Sequence, residues 1–344
     1  MDIETVAAWD GAHYGASPGP KLYAALDLGT NNCRLLIARP TADGFRVVDA
    51  FSRIVRLGEG LSATGRLSEA AIARTLDALR VCRDKMRHRG VFRARLIATE
   101  ACRAADNGAE FLDQVWEKLG LRLEIVDQRT EAFLAAAGCG DLADERAEST
   151  VLFDIGGGSS ELVWMSRNRG SRAGARRVDA WESMRLGVVS LAETFGGTDV
   201  TPEIFAAMVA HVDRALAPFV ERVADRRRCD RFHLLGTSGT VTTLAGVHLN
   251  LPRYDRRAID GLWLTSGQID AAVARLRAMN YSERAANGCI GAERADLVLA
   301  GCAILEAIRA RFPAERIRIA DRGLREGILS QMMRADRVSR GYPA

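Results

Sequence analysis

The 344-residue sequence has no CxxC pair and no cluster of cysteine with histidine. Its seven cysteines are scattered and odd in number, which excludes a disulfide framework and a structural zinc site. The five histidines, at 13, 88, 211, 233 and 248, fall outside every motif described below, so acid–base work is left to carboxylates. No apolar run approaches the ~20 residues that span a bilayer. Residues 1–20 begin with acids and end in Gly, Ala, Ser and Pro, without the basic start and apolar middle of a secretory signal. They read as a flexible leader on a cytoplasmic protein that has no membrane segment. Aromatic content is 6%, and the arginine clusters carry no interleaved aromatics, which speaks against a specific nucleic-acid surface. Lysine is nearly missing: Lys21, Lys85 and Lys118 are the only three, and arginine supplies the remaining positive charge. A compositional bias accounts for that as readily as function does, but guanidinium forks bind phosphates bidentately either way.

What is present is an ordinary globular composition, 48% hydrophobic and 27% charged with a net charge of +4, at a length that suggests two domains. Leu22–Arg39 reads as a hairpin turning at Asn31-Asn32, followed by a strand in FRVVDAFSRIVRLG. Glu69–Arg87 has helical periodicity, ARLIATEA is a buried-strand run, a helix lies near Ala109–Leu119, and LRLEIVD is a strand. A helix begins near Glu131, with Thr130 as its N-cap. At Val151 the pattern restarts: VLFDIGGGSSELVWM is a strand, a glycine turn and a return strand, with a third strand through Trp181–Val189. Helices follow near Pro202–Ala224, Ser266–Met279 and Leu297–Arg311. The strands RFHLLGT and RIRIA lie among them, and a last helix starts at about Leu324.

The two hairpins are one element used twice. Ala25-Leu26-Asp27-Leu28-Gly29-Thr30 and Leu152-Phe153-Asp154-Ile155-Gly156-Gly157 share the order apolar strand, Asp, apolar residue, Gly, turn, 127 residues apart. A duplicated pair of domains facing one another across a cleft explains the spacing. The expected division is 21–131 for the first domain and 132–344 for the second, with the C-terminal helix returning to the first.

Glycine and hydroxyl-rich turns expose backbone N–H groups that bind phosphate oxygens. Gly156, Gly157, Gly158, Ser159 and Ser160 fit that description, and Thr30, Asn31 and Asn32 form the matching turn. A third loop, Gly236-Thr237-Ser238-Gly239-Thr240, opens into a helix whose amino end adds donors. None of these loops is a GxxxxGK[ST] or GxGxxG motif. Asp154 and Glu161 flank the triple glycine, where a pair of acids suits Mg²⁺ bound beside phosphate oxygens; Asp27 is the first-domain counterpart. Glu131, in the first turn of a helix, could orient or deprotonate a water attacking a phosphoryl group, although an acid at that position is common for structural reasons alone.

With these residues in view, the chain resembles the Ppx/GppA family of exopolyphosphatases and guanosine pentaphosphate phosphohydrolases, in the superfamily of actin and the acetate and sugar kinases. The similarity runs from about Tyr23 to Leu329. Its carriers are LDLGTNNCRLLIA, VRLGEGL (Val55–Leu61), IATEACRAADN (Ile97–Asn107), FDIGGGSSELV, LGTSGTVTTLAG, ERADLVLAGCAILEAI and DRGLREGIL (Asp321–Leu329). The resemblance implies two ribonuclease-H-like, actin-like ATPase domains. It puts the catalytic glutamate on Glu131, the magnesium-associated acids on Asp154 and Glu161, and the phosphate loops on Thr30–Asn32 and Gly156–Ser160. Arg103 and Gly239 join the substrate-binding set. Two departures stand out: Thr130 replaces the first of the family's usual paired glutamates, and Asn32 replaces a frequent serine. The chain looks like the short form, without the long form's C-terminal HD-type domain.

The expected activity is Mg²⁺-dependent release (Mn²⁺ as alternative) of the terminal phosphate from a polyanion, inorganic polyphosphate or pppGpp, with a homodimer as a possible assembly. The runs Arg167, Arg169, Arg172, Arg176, Arg177 and Arg226-Arg227-Arg228 could hold a longer chain, or simply be solvated surface. A kinase of the same superfamily and a nucleotide-binding regulator or scaffold with slow hydrolysis are the competing readings.

Overall fold

A computed structural model describes residues 21–168, 176–229 and 231–338. The leader and Arg169 and Arg172 of the basic run lie outside the described residues. The chain divides into two compact units, one holding 1–138 together with 324–344, the other 139–323. Among the described residues no helix is long and apolar enough to cross a membrane, and six cysteines are buried free thiols.

The first unit is built on five strands: β1 (Tyr23–Leu28), β2 (Asn32–Thr41), β3 (Gly44–Ile54), β4 (Arg93–Ala98) and β5 (Glu124–Ile125). Their order is β3-β2-β1-β4-β5, antiparallel across β3-β2-β1 and parallel from β1 through β4 to β5. β1 is apolar at nearly every position because both its faces are covered. Ala24, Leu26 and Leu28 face a core shared with the helices Glu69–His88 and Gly108–Leu119. Tyr23 and Ala25 face the last helix, Leu324–Val338, through Leu324, Ile328 and Met332. Helix Glu69–His88 starts where the Ser68 hydroxyl accepts from Ala71 N (3.2 Å) and ends in Lys85, Arg87 and His88, in keeping with its dipole.

Several boundaries differ from the sequence reading. The third strand of the second half, expected through Trp181–Val189, lies at Arg176–Met184, because Gly187 opens the helix Val188–Phe195. ARLIATEA is a strand only to Ala98, because Glu100 already opens the short helix Glu100–Ala104. LRLEIVD contributes only Glu124–Ile125 to the sheet. The chain then turns at Asp127, whose carboxylate accepts from Thr130 N at 2.7 Å and starts the helix Gln128–Cys139. Asp127 therefore does the capping expected of Thr130. Glu131 N bonds to Asp127 O (3.1 Å), which places Glu131 a full turn into the helix.

The second unit repeats the plan. Its strands are β6 (Ser149–Ile155), β7 (Ser160–Arg167), β8 (Arg176–Met184), β9 (Phe232–Thr237), β10 (Trp263–Thr265) and β11 (Arg316–Ala320). The order β8-β7-β6-β9-β11 has the same sense as β3-β2-β1-β4-β5, with β10 added antiparallel at the edge. β10 carries only three residues and gives no readable alternation, which is why the sequence did not announce it. The helices Pro202–Arg222, Gly239–His248, Ser266–Ala278 and Val298–Arg311 bury their apolar faces in one core with Phe153, Trp164 and Phe312.

His233 on β9 is 5% exposed and locked as a neutral ring. Its Nε2 accepts from Asp144 N (3.0 Å) and meets Thr150 Oγ1 (3.0 Å), while Nδ1 reaches Leu234 O (2.9 Å). Burial, with Arg176 and Arg316 nearby, pushes its pKa down to about 4. Because the unfolded chain takes up this proton near pH 6.5, stability present above that pH is lost as pH falls toward 4, by about 3 kcal/mol. Urea unfolding between pH 7 and 4 should show the decline, and His233→Gln should flatten it.

Candidate active site

The two hairpin turns close in the same way. Gly29 N donates to Asn32 O (2.9 Å), and Gly156 N donates to Ser159 O (2.9 Å). A Cβ on Gly156 would lie 2.7 Å from Ser159 O, so this turn needs glycine. Among the described residues the N–H groups of Gly157 and Gly158 meet no acceptor. In the first turn, the amide oxygens of Asn31 and Asn32 are buried without a partner.

Behind each turn runs an R-L-G segment: Arg56-Leu57-Gly58, within the VRLGEGL stretch, after β3, and its repeat Arg185-Leu186-Gly187 after β8. Asn31 O accepts from Val55 N and Arg56 N, and Thr30 O accepts from Gly58 N (2.9 Å). Gly156 O and Gly157 O accept from Val188 N (2.9 Å) and Val189 N (2.8 Å). The glycine is needed for close approach: a Cβ on Gly58 would stand 2.3 Å from Thr30 Cγ2, and one on Gly187 2.3 Å from Gly157 O. The signal was legible, since R-L-G recurs at the same place in both halves.

Strand register carries the duplication into the charged residues. Asp154 pairs across to Glu161, and Glu161 to Ser183, whose hydroxyl donates to Glu161 Oε1 at 2.9 Å. In the first unit the same row reads Asp27, Arg34, Ser52. The middle position has changed sign. Glu161 is 3% exposed. Asp27 has its carboxyl pushed up by burial against the pull of Arg34 and Arg325.

The third carboxylate cluster lies wholly in the first unit. Arg103 Nε donates to Glu100 Oε2 (3.0 Å), Nη1 donates to Val126 O (2.6 Å), and both Nη1 and Nη2 stand 3.3 Å from Glu131 Oε2. The side chains of Glu100, Arg103 and Glu131 are 8%, 18% and 12% exposed. Although burial works against its charge, Glu131 and Glu100 together hold the Arg103 guanidinium above its ordinary range. Arg103, expected as a substrate ligand, stands between two carboxylates of its own unit. Glu100 was not foreseen: within ATEAC nothing marks it off from a solvated helix residue.

In the second unit the loop after β9 ends at Ser238, which holds φ +88° and starts the helix Gly239–His248. Its hydroxyl oxygen is buried without a partner. Gly239 lies under Arg294, whose Nη1 would be 3.6 Å from an added Cβ.

The family model for the Ppx/GppA phosphatase family matches residues 36–336. The chain belongs to the Ppx/GppA phosphatase family. It is 31% identical over 323 residues to exopolyphosphatase 2 of Mycobacterium tuberculosis strain H37Rv, covering 89% of this chain and 96% of that protein. It is also 31% identical over 311 residues to the guanosine-5'-triphosphate,3'-diphosphate pyrophosphatase of Aeromonas salmonicida, covering 90% of this chain but only 58% of that longer protein. The crystal structure of the Aquifex aeolicus Ppx/GppA family member superposes with a TM-score of 0.72 at 28% identity, over 92% of this chain and 99% of that one.

As a Ppx/GppA protein the chain ties up most of its described basic run internally. Arg167 and Arg176 point their guanidiniums at Ala147 O (3.2 and 3.1 Å), and Arg177 and Arg226 share the buried carboxylate of Asp179. Arg227 bonds Arg311 O. Each of these contacts is to the arginine's own unit of the chain. Of the family's two departures, Thr130 sits in the capping turn through its backbone N–H, and Asn32 begins β2.

Proposed function

We propose that this Ppx/GppA protein hydrolyses the terminal phosphoanhydride of a polyanion, inorganic polyphosphate or pppGpp, with Mg²⁺ as cofactor. The observation that carries the reading is the Asp154–Glu161–Ser183 row beside a glycine turn whose Gly157 and Gly158 N–H groups meet no acceptor. Among the described residues no three His, Cys, Asp or Glu side chains are grouped to cage a metal. Mg²⁺ takes one or two carboxylates and fills its octahedron with water and phosphate oxygens. Asp154 and Glu161 would hold it. The equivalent row of the first unit balances Asp27 with Arg34, so we assign the cation to the second unit's row. Bound there, Mg²⁺ would neutralise developing charge on the phosphoryl oxygens.

The chain's own groups do the rest. Thr30–Asn32 and Gly156–Ser160 bind and orient phosphate oxygens through backbone N–H groups and hydroxyls. Glu131, fixed in direction by Arg103, aims the attacking water and takes its proton as the bond to phosphorus forms. The shortened polyphosphate or ppGpp leaves with the bridging oxygen.

A phosphate-release assay on tripolyphosphate, long-chain polyphosphate and pppGpp, with and without Mg²⁺, tests this. Release should require the cation, and Glu161→Gln should raise the Mg²⁺ concentration for half-maximal rate by roughly tenfold or more. Undiminished turnover in excess chelator would overturn the Mg²⁺ assignment.

A further inference from the structure

Glu100 and Arg103 rise from backbone that is tied down on every side. Thr99 N donates to Leu28 O (3.1 Å), directly before the Gly29 turn, and Val126 N donates to Ala98 O (3.1 Å). The ends of β1, β4 and β5 are thereby joined at the point where the helix Glu100–Ala104 begins. A Cβ on Gly108 would lie 2.0 Å from Cys102 O, so this short helix is seated at backbone distance against the next one.

A guanidinium carries five N–H groups. Arg103 commits all five inside its own unit. Nε and Nη2 both donate to Glu100 Oε2 (3.0 and 2.5 Å), Nη1 and Nη2 both face Glu131 Oε2 (3.3 Å each), and Nη1 also donates to Val126 O (2.6 Å). The two carboxylates are not held alike. Glu100, 6% exposed, takes one whole edge of the fork at short range. Glu131 meets the next edge through one oxygen at longer range.

An arginine that grips a phosphate needs unspent N–H groups and an uncompensated charge. Arg103 has neither, because two carboxylates face one guanidinium and the three together carry a net negative charge. We infer that Glu100 is a positioning residue for the hydrolysis: it takes up Arg103, and so turns an arginine that could bind phosphate into the support that fixes the direction of the Glu131 carboxylate. Glu131 is aimed in this way without being locked into a tight ion pair. The inference rests on the hydrolase reading above and deepens it.

The test uses the full chain with tripolyphosphate and with pppGpp. Glu100→Gln keeps the shape and an acceptor oxygen but removes the charge. Its kcat should fall roughly tenfold on both substrates, with KM within about twofold, because a base slightly out of place slows the step without loosening the phosphates. In a Glu131→Gln background the same change should cost no more than about twofold, since the group being positioned has already lost its function. A merely structural ion pair would lower both backgrounds alike. Arg103→Lys, which has no fork to span two carboxylates, should repeat the kcat loss at unchanged KM, and it decides the matter if Glu100→Gln unfolds below the assay temperature. A KM raised tenfold or more in Arg103→Lys means that Arg103 grips the phosphates and overturns the assignment. Unchanged kcat in a folded Glu100→Gln variant, or equal losses in the two backgrounds, overturns it too. Each of those results leaves the hydrolase reading standing. Should the wild-type chain turn over neither substrate, the hydrolase reading itself fails, and this assignment falls with it.

Discussion

Glu131→Gln lowers the rate of phosphate release by about 10²–10⁴-fold, with KM changed far less, because the group lost acts on the water and not on the bound phosphates. The substitution is isosteric. The amide oxygen can still face Arg103, and Arg103 keeps Glu100 and the Val126 carbonyl as partners. The helix Gln128–Cys139 keeps its start at Asp127, one turn away. Thermal unfolding should therefore stay close to wild type while turnover falls, and that combination separates a chemical role from a structural one. A loss smaller than tenfold would shift the task of aiming the water to another group, with Glu100 the nearest carboxylate on the same arginine. A variant that binds pppGpp normally but releases no phosphate would also argue against a scaffold whose slow hydrolysis is incidental.

Gly187→Ala has the second large effect, and it acts through backbone contacts. The added methyl would lie 2.3–2.6 Å from Gly157 C and O and from Gly156 O, all backbone atoms. Nothing flexible is available to yield, so the Gly156–Ser160 turn itself must move. Val188 and Val189 would lose the geometry of their bonds to the two glycine carbonyls. Misplacing a phosphate-binding loop by about 1 Å costs roughly 10²-fold in rate. Activity should fall by about that factor on every substrate, polyphosphate and nucleotide alike, with a modest drop in Tm. Gly267→Ala, with open space around its Cβ, serves as the control and should behave as wild type. Retained activity in Gly187→Ala would mean that the loop does not position the phosphates.

Much of the architecture was readable along the chain. β1 and β6 declare themselves as apolar runs ending in Asp-x-Gly, and the matching turns follow from glycine and hydroxyl chemistry that local residues control. The helix Glu69–His88 shows both its periodicity and its capping serine. Short edge elements such as Glu124–Ile125 and Trp263–Thr265 were not readable, because two or three residues carry no period. The helix start at Asp127 was misplaced by a turn, since Asp and Thr cap equally well in isolation and only the fold selects between them.

The duplicated hairpins, the glycine turns and the acids beside them are legible along the chain, because turn chemistry and strand alternation depend on near neighbours. Tertiary structure alone decided the rest. The Glu100–Arg103–Glu131 clamp forms between two helices, 28 residues apart on the chain at its widest contact. The R-L-G segments become braces only when β3 and β8 bring them back against their own turns. The opposite charge of Arg34 and Glu161 acquires meaning only through strand register, which sets each beside its aspartate. Contacts of this kind depend on where distant segments meet, and no local pattern encodes that meeting.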